Sequence, residues 1–279
     1  MGIEADRADR NFNDLINKFE DHIYGTLKGT IRQAVLWEDL SGVLTQLPPA
    51  PLRIIDAGAG LGQLALRFAE LGHQLIVCDI SEKMLQRAQQ AAEQAGVLRQ
   101  MQFIQQPLQQ LPQVVKQPVD LVLCHAVLEW LADPVSALQP LSDCLRPGGI
   151  LSLMFYNAHG LLFRNLLLGN IHPQRLTTTQ RRCSGSLQPP HPLTGEQIDH
   201  WLTALSLTTL TKSGVRVFSD YWQPSVQQNF DPQAIVALEQ HYCRQPAFVS
   251  LGRYLHYLAQ KPLRQLSQVG IRGVDESSG

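Results

Sequence analysis

The chain has 279 residues, of which 44% are hydrophobic and 17% are charged, a balance that supports a globular core and argues against disorder. The net charge of −1 gives no overall sign of nucleic-acid binding, although residues 151–279 carry more Lys and Arg than Asp and Glu, as a basic, substrate-facing half would. With no apolar run of membrane-spanning length, no signal peptide and no C-x-x-C pair, we expect a cytoplasmic protein with reduced cysteines.

The N-terminal region contains two apolar stretches with helical spacing. The first includes Leu15, Ile16 and Phe19, and the second runs over residues 31–36. Residues 23–32 lie between the helical patterns, hold two glycines and two cations, and are predicted to be a break of the kind that an N-terminal lid over a cofactor uses. We therefore predict a helical lid segment over residues 1–50, ended by prolines.

Strand-like and helix-like patterns then alternate, which is typical of an open parallel sheet with crossover helices on both faces. The predicted strands are 53–56, 74–79, 101–104, 119–124 and 150–155. The fifth strand follows a predicted turn over residues 146–149. One helix is predicted over 64–71, ending at Gly72, and another begins after the cap residue Ser81 and stops near Gly96.

The alternation breaks over residues 157–193, which are rich in Gly and Pro around a helix-like run at 161–168. An insertion of this length in a compact domain is usually functional. Beyond it, the patterns predict helices over 194–205 and 231–242 and strands over 207–218 and 254–260, with these two strands pairing antiparallel at one edge. The predicted domain covers residues 51–262, and residues 263–279 are predicted to form a disordered tail.

The stretch Asp56–Gly62 reads D-x-G-x-G-x-G and joins the first strand to the next helix. Its alternate glycines predict a turn almost without side chains, where a cofactor could lie against bare backbone N–H groups at a helix N-terminus. The dinucleotide fingerprint is G-x-G-x-x-G, so this spacing disfavours a nicotinamide dehydrogenase. The stretch instead resembles motif I of the class I methyltransferases that bind S-adenosylmethionine. A purely structural turn is the alternative.

Polar residues also follow the second and fourth strands. Asp79 can accept hydrogen bonds from both hydroxyls of an adenosine ribose, or it can cap the helix that begins at Ser81. Ile80 and Met84 are predicted to cover the adenine face, unless they belong to the core. His125 lies at the carboxyl edge of the sheet, where such folds bind ligands, and we expect it to contact the cofactor rather than to act catalytically.

Glu129 and Trp130 follow His125 in the chain, and they are predicted to begin the next helix and to pack it. The histidines form no H-x-x-x-H pair and no cluster with cysteines at ligand spacing, so we predict no metal site. The absence of a G-x-S-x-G elbow argues against an α/β-hydrolase.

Seven segments, covering roughly residues 9–262, resemble the bacterial tRNA 5-carboxymethoxyuridine methyltransferases. They are 10–13 (RNFN), 23–26 (IYGT), 32–37 (RQAVLW), 125–130 (HAVLEW), 153–160 (LMFYNAHG), 212–218 (KSGVRVF) and 251–256 (LGRYLH). The resemblance is specific because FYNAHG and GVRVF lie outside the generic cofactor motifs. It implies a class I, Rossmann-like α/β fold with a seven-stranded sheet, mostly parallel with an antiparallel last strand, an N-terminal helical lid and an insertion after strand 5.

The resemblance implies methyl transfer from S-adenosylmethionine to the carboxylate of 5-carboxymethoxyuridine at the wobble position of tRNA, which gives the methyl ester. It also implies the cofactor residues Arg32, Gly58, Ala59, Asp79, Leu108, Gln109 and His125, to which the strand and turn patterns add Asp56, Gly60, Ile80 and Met84. Close relatives carry glycine at the position of Ala59, a mild change where φ is negative. The linker over 175–188 is poorer in lysine than in relatives.

A substrate carboxylate with a pKa near ~3.5 is already ionised at pH 7, so the reaction needs no general base. Arginine forks bind planar carboxylates through paired donors. The candidates for this role are Arg216, Arg253 and Arg244, with Tyr156, Asn157 and His159 just beyond strand 5. The alternative for Arg216 and Arg253 is that they are solvated residues of an edge strand.

Two other functions remain open on these patterns. A methyltransferase of a small-molecule carboxylate or a quinone precursor would share every cofactor residue but would show no salt-dependent tRNA binding. A non-catalytic RNA module would bind S-adenosylmethionine without turnover. The patterns predict no oligomeric state.

Overall fold

The computed structural model describes residues 9–13, 25–49, 51–170 and 189–263. Its central sheet has seven strands: β1 (Arg53–Ala57), β2 (Gln74–Asp79), β3 (Met101–Gln105), β4 (Val119–His125), β5 (Leu145–Tyr156), β6 (Thr208–Val215) and β7 (Tyr254–Gln260). Their order in the sheet is β3-β2-β1-β4-β5-β7-β6. The predicted α/β architecture is therefore confirmed.

The first five strands are parallel, and β7 inserts antiparallel between β5 and β6. The predicted antiparallel pairing of the last two strands at one edge is confirmed. After β1, the chain adds β2 and then β3 on one side of β1. It then adds β4 on the other side of β1, and β5 beyond β4. Connections leave β1 and β4 toward opposite sides, and a crevice opens there at the carboxyl ends of the strands.

The helices cover both faces of this sheet. In chain order they are α1 (Leu27–Leu44), α2 (Gln63–Glu70), α3 (Glu82–Gln94), α4 (Leu111–Val114), α5 (Leu138–Cys144), α6 (Ala158–Leu167), α7 (Gly195–Ala204), α8 (Pro224–Gln227), α9 (Pro232–Tyr242) and α10 (Pro246–Val249). The predicted cap is confirmed, since the Ser81 hydroxyl accepts a hydrogen bond from the Met84 N–H at 3.1 Å. Such a cap satisfies a backbone donor that the first helical turn leaves without a partner.

Side chains of neighbouring strand residues alternate between two apolar layers, as the pleat requires. Ile55 and Val122 belong to the layer under α5 and α7. Their neighbours Ile54 and Leu121 belong to the layer under α2 and α3. A third cluster joins one face of α1 to the edge of the sheet and to α9: Ile31, Val35, Leu36, Met154, Val215, Ile235, Val236 and Cys243.

The predicted break at 23–32 is wrong from residue 27 onward, because α1 begins at Leu27. The Thr26 side chain accepts a hydrogen bond from the Gly29 N–H at 3.2 Å and so caps the helix. Gly29 is buried inside the first turn. A glycine inside a helix costs about 1 kcal/mol relative to alanine, and the cap together with the buried face of α1 outweighs that cost.

Three other boundaries differ from the predictions. The predicted turn at 146–149 lies within β5 as an irregularity in its pairing with β4. Strand β6 ends at Val215 rather than at 218, because Arg216 has a left-handed backbone (φ +62°) that no strand continues. Leu128–Trp130 forms a single 3₁₀ turn rather than the start of a helix.

Several predictions fall outside the described residues: the first N-terminal helix, the linker at 175–188 and the tail beyond 263. Of the predicted lid segment, the structure describes residues 9–13 and 25–49, which include α1. Within the described ranges, no helix has both the length and the apolar character needed to cross a membrane.

Candidate functional site

A cleft with an empty volume of about 880 Å³ opens at the carboxyl ends of β1, β2 and β4. Ten of the residues predicted to bind a cofactor line it: Arg32, Gly58, Ala59, Gly60, Asp79, Ile80, Met84, Leu108, Gln109 and His125. The remaining one, Asp56, lines an adjoining cavity of about 480 Å³, which shares Arg32 and His125 with the cleft. The fold thus brings the whole predicted set to one place.

The glycine loop between β1 and α2 needs its glycines for backbone geometry. Gly58, Gly60 and Gly62 all have positive φ, a region that other residues rarely adopt. A Cβ on Gly58 would also lie 2.4 Å from Val127 Cγ2. Ala59 is not among the described residues with positive φ, so its methyl group is compatible with the loop.

The loop's backbone N–H groups are not bare, which corrects the prediction. Gly58 and Ala59 both donate to the Cys78 carbonyl, at 2.8 and 3.0 Å. The Gly60 N–H donates to Asp79 Oδ2 at 2.8 Å. A pyrophosphate would need such donors free, whereas adenosine attached to an amino acid carries no phosphate. The loop therefore fits S-adenosylmethionine better than a dinucleotide.

Asp79 holds the loop and also faces the cleft. Its Oδ1 accepts from the Ser81 N–H at 2.8 Å, in addition to the Gly60 bond to Oδ2. Burial raises the pKa of Asp79 above its ordinary value. Each carboxylate oxygen has a further lone pair, so both oxygens can still accept from ligand hydroxyls. Since the Ser81 hydroxyl itself caps α3, capping is not the role of Asp79.

One acidic group and one basic group beside the loop, Asp56 and His125, have shifted pKa values. Burial, with the nearby charge of Asp79, raises the pKa of Asp56 to about 7. Burial lowers the pKa of His125 well below its ordinary value, and the charges of His256 and Arg32 lower it further. His125 is therefore a neutral imidazole that lines the cleft, and its Nε2 lies 2.8 Å from Ser152 Oγ.

Residues 9–13 cross the mouth of the cleft and connect its two sides. Asp9 Oδ2 accepts from the Gln109 side chain at 3.1 Å. On the opposite side, the Asn11 side chain donates to the Ile80 carbonyl at 3.3 Å. This part of the predicted lid segment therefore lies over the cleft.

Sequence reasoning did not place several residues in the site. They are Asp9, Arg10, Phe12, Gln106, Ala126, Val127, Trp130 and Leu131. Trp130 lines the cleft instead of packing a helix, and its ring meets that of Phe12 edge-on at 4.8 Å. Segments 10–13 and 125–130 both belong to the seven segments that resemble a known methyltransferase family, and this resemblance was a signal that they carry function.

A second group of polar residues, here called the arginine cluster, consists of Arg32, Arg216 and Arg253 around two tyrosine rings. The guanidinium carbons of Arg32 and Arg216 lie 4.7 and 5.3 Å from the ring centroid of Tyr254. That of Arg253 lies 5.1 Å from the ring of Tyr156. The two tyrosines are cross-strand partners on β5 and β7. Because Arg32 also lines the cleft, the cluster adjoins it.

The arginine cluster has more positive than negative charge. Asp220 contributes a carboxylate to the cluster. The Asp220 oxygens lie 3.4 Å from Arg216 Nη1 and 3.6 Å from Arg253 Nε, and these distances are too long for good hydrogen bonds. Nε of Arg32, Nε of Arg216 and Nη1 of Arg253 are buried and have no hydrogen-bond partner among the described residues. Unsatisfied buried donors are costly, and an anion would satisfy them. Arg216 moreover has the left-handed backbone of a strained site residue.

The other predicted carboxylate ligands are placed differently. Arg244 lies outside the arginine cluster, because its Nε donates to Asp39 Oδ1 and its Nη1 to Glu38 Oε1, each at 2.7 Å. These charges raise its pKa above the ordinary value against the opposing effect of burial. Its guanidinium is thus held by protein carboxylates where a ligand was expected.

Asn157 and His159, like Arg244, are not members of the arginine cluster. The buried Asn157 amide donates to the carbonyls of Ser250 and Gly252, each at 2.8 Å, and its Oδ1 accepts from the His159 N–H at the start of α6. The His159 side chain is exposed. Tyr156, which was predicted beyond strand 5, is the last residue of β5, and its ring contacts Arg253 of the arginine cluster. Among all described residues, no group of three or more His, Cys, Asp or Glu is arranged to hold a metal ion.

Comparison with known proteins identifies the family. The family model described as a methyltransferase domain matches residues 55–153. The tRNA 5-carboxymethoxyuridine methyltransferase of Escherichia coli (strain K12) is 49% identical over 254 residues, which cover 91% of this chain and 97% of that protein. The chain belongs to the tRNA 5-carboxymethoxyuridine methyltransferase family.

More distant relatives of this methyltransferase share only part of its length or only its fold. A ubiquinone biosynthesis O-methyltransferase of Ruegeria pomeroyi is 33% identical over 125 residues, 45% of this chain and 49% of that protein. A crystal structure of magnesium protoporphyrin IX methyltransferase from Synechocystis PCC 6803 with bound SAH has a TM-score of 0.60 at 19% identity, covering 90% and 96% of the two chains.

Proposed function

We propose that this methyltransferase methylates the carboxylate of 5-carboxymethoxyuridine at the wobble position of tRNA, in the cytoplasm. The observation that carries the proposal is the arginine cluster, which adjoins the cofactor cleft and holds three buried N–H groups that no described part of the chain satisfies. Arginine N–H groups bind a carboxylate through paired, charge-assisted hydrogen bonds. The name of the relative that is 49% identical supports the same substrate.

The cleft residues are assigned to S-adenosylmethionine by their chemistry. Asp79 would accept from the ribose hydroxyls, and Ile80 and Met84 would cover the adenine, with Leu108 and Gln109 at its edge. Gly58, Ala59 and Gly60 shape the wall of the cleft. The charged Arg32 and the neutral His125 would hold the amino-acid part, near Asp56 in the adjoining cavity. When bound, the cofactor supplies an electrophilic methyl group, and its transfer to a carboxylate oxygen gives a methyl ester.

The arginine cluster would hold and orient the substrate carboxylate. Arg216 and Arg253 can donate to one of its oxygens, while the other oxygen stays free to attack. This division matters because an arginine bonded to the attacking oxygen would weaken the nucleophile. Since the carboxylate is already ionised, orientation and exclusion of water provide the rate increase. The rings of Tyr156 and Tyr254 cover the cluster and keep water from its guanidinium groups.

The test measures formation of the methyl ester on tRNA that carries 5-carboxymethoxyuridine, by mass spectrometry of the wobble nucleoside. In Arg216→Gln and Arg253→Gln we expect kcat/KM to fall about 100-fold, because each variant loses a charge-assisted pair of hydrogen bonds that contributes about 3 kcal/mol. We expect the Kd for S-adenosylmethionine to stay the same. Lys212→Gln is the matched control, since it removes a positive charge from β6 at an exposed ion pair with Asp199. Unchanged turnover in both arginine variants would refute the assignment.

The substrate class needs a second comparison. Phosphate contacts make tRNA binding weaken steeply with salt concentration. We therefore expect KM for tRNA to rise between low and high salt, and the free 5-carboxymethoxyuridine nucleoside to be a poor substrate. Equal turnover of the free nucleoside, without salt dependence, would favour a small-molecule methyltransferase. Cofactor binding without turnover of any modified tRNA would favour a non-catalytic module.

A further inference from the structure

A chain of buried hydrogen bonds leads from α1 across the sheet to the cleft. His256 Nδ1 lies 2.7 Å from Asp39 Oδ2, and His256 Nε2 lies 2.8 Å from Ser152 Oγ. Ser152 Oγ also lies 2.8 Å from His125 Nε2. Asp39, Ser152 and His256 are all buried. None of the three lines the cleft, so the proposed chemistry does not by itself explain these polar groups.

Strand register creates this arrangement. His125 on β4 and His256 on β7 both pair with Met154 of the intervening strand β5. Ser152 lies two residues before Met154, and alternate residues of a strand project from the same face. The serine hydroxyl therefore lies between the two imidazole rings, whose centroids are 5.5 Å apart.

Asp39 sets the direction of the hydrogen bonds. Burial opposes its ionisation, but the hydrogen bond and charge of His256, with the charge of Arg244 and a bond from Ser213, hold the pKa of Asp39 below its ordinary value. An ionised carboxylate only accepts hydrogen bonds. His256 must therefore donate from Nδ1.

In its neutral form, the His256 ring carries one proton. With that proton on His256 Nδ1, its Nε2 must accept from the Ser152 hydroxyl. The Ser152 oxygen then accepts from His125, which must carry its proton on Nε2. The Nδ1 atom of His125 is left as an acceptor, and it has no hydrogen-bond partner within the part of the chain that the structure describes.

We propose that Asp39, His256 and Ser152 are positioning residues that hold His125 in the Nε2-protonated tautomer, so that Nδ1 presents an acceptor to an ammonium group in the cleft. Arg32, the cation beside His125, suits the carboxylate of the same ligand, and the pair complements an α-amino acid group. The inference rests on the proposed use of the cleft for S-adenosylmethionine. It adds what determines the orientation of the acceptor, and which buried residues do so.

The first test compares two buried serine-to-alanine variants. Ser152→Ala breaks the chain next to His125. Ser213→Ala removes the 2.9 Å hydrogen bond from the Ser213 hydroxyl to Oδ1 of the same Asp39, but it leaves the chain of hydrogen bonds to His125 intact. In cofactor-free protein labelled with ¹⁵N-histidine at pH 8, we expect the wild type and Ser213→Ala to show His125 protonated on Nε2, and Ser152→Ala to show both tautomers. The His125 signals are assigned from their absence in His125→Gln.

Asp39→Asn tests the direction of the chain without removing a side chain. Asp39 Oδ1 serves Arg244 and Ser213, whereas Oδ2 serves His256. An asparagine can keep its oxygen toward the first two and turn its NH₂ toward His256 Nδ1. Every hydrogen bond then reverses, and we expect His125 to carry its proton on Nδ1. The effect on tautomers separates this role from a merely structural one.

Calorimetry with S-adenosylmethionine completes the test. We expect Kd to increase about tenfold in Ser152→Ala and in Asp39→Asn, the effect of one hydrogen bond to a charged group, and less than twofold in Ser213→Ala. A wild-type His125 protonated on Nδ1, or equal weakening in both serine variants, would overturn the inference. If the tautomers follow expectation but the wild type binds no S-adenosylmethionine, the proposed function fails and the tautomer assignment stands.

Discussion

Gly58→Ala should destabilise the fold by a calculable amount. Gly58 has φ +73°, and a left-handed backbone costs a non-glycine residue roughly 1–2 kcal/mol. The new Cβ would also lie 2.4 Å from Val127 Cγ2 and 3.1 Å from Cγ1, an overpacking that costs about 1–3 kcal/mol. We therefore expect the free energy of unfolding to fall by roughly 2–5 kcal/mol in Gly58→Ala.

Gly60→Ala is the matched control in the same loop. Gly60 has φ +56°, but a Cβ there meets nothing within 4 Å, so only the backbone cost of roughly 1–2 kcal/mol applies. Urea unfolding of the cofactor-free protein measures both variants, and the difference between them isolates the contact with Val127. Equal destabilisation would refute the steric reasoning.

The double variant Gly58→Ala/Val127→Ala checks the same contact from its other side. Removing both Cγ atoms of Val127 takes away the clash but leaves the strained backbone. We expect the double variant to be less destabilised than the sum of the single variants by about 1–3 kcal/mol, the coupling typical of residues in direct contact. Additive effects would show that the loop relaxes in some other way.

The remaining predictions concern two carboxyl groups. Glu129 is buried, and burial raises its pKa to about 8. The folded chain therefore keeps a proton that the unfolded chain releases above the ordinary pKa of about 4.3. Stability should fall, by on the order of a few kcal/mol, as pH rises from about 5 to about 8. In Glu129→Gln this decline in urea-unfolding stability should be smaller, and an unchanged slope would contradict the assignment. Asp79→Asn should weaken S-adenosylmethionine binding about 10–100-fold by calorimetry, because an amide offers one acceptor oxygen instead of two; the exposed control Asp133→Asn should leave Kd unchanged, and equal Kd values would contradict the ribose role.

Much of the fold was predictable because its signals are local. The ends of β2 and β7 agree with the predicted ranges 74–79 and 254–260, since alternation and flanking turn residues mark short buried strands. The cap at Ser81 is likewise a local signal. Where a local rule failed, packing had overridden it, as in α1, whose buried face tolerates Gly29 within the first turn.

The cofactor cleft was largely predictable for a related reason. Parallel strands bring their carboxyl ends to one edge of a sheet, so the glycine loop, Asp79 and His125 must meet once the strand order is right. The lid residues Asp9 and Phe12 were not predictable in this way, because no periodic pattern indicates where an irregular segment crosses a surface.

The sequence by itself determined the order of strands and helices, the glycine loop and its cofactor class. It did not determine which arginines meet. Arg216 and Arg253 join Arg32 from α1 only because β7 inserts between β5 and β6, while Arg244, equally suitable by residue type, is held by Asp39 and Glu38. The chain from Asp39 through His256 and Ser152 to His125 depends likewise on the register of three strands. Local patterns specify elements, whereas contacts between distant residues arise only when the elements pack.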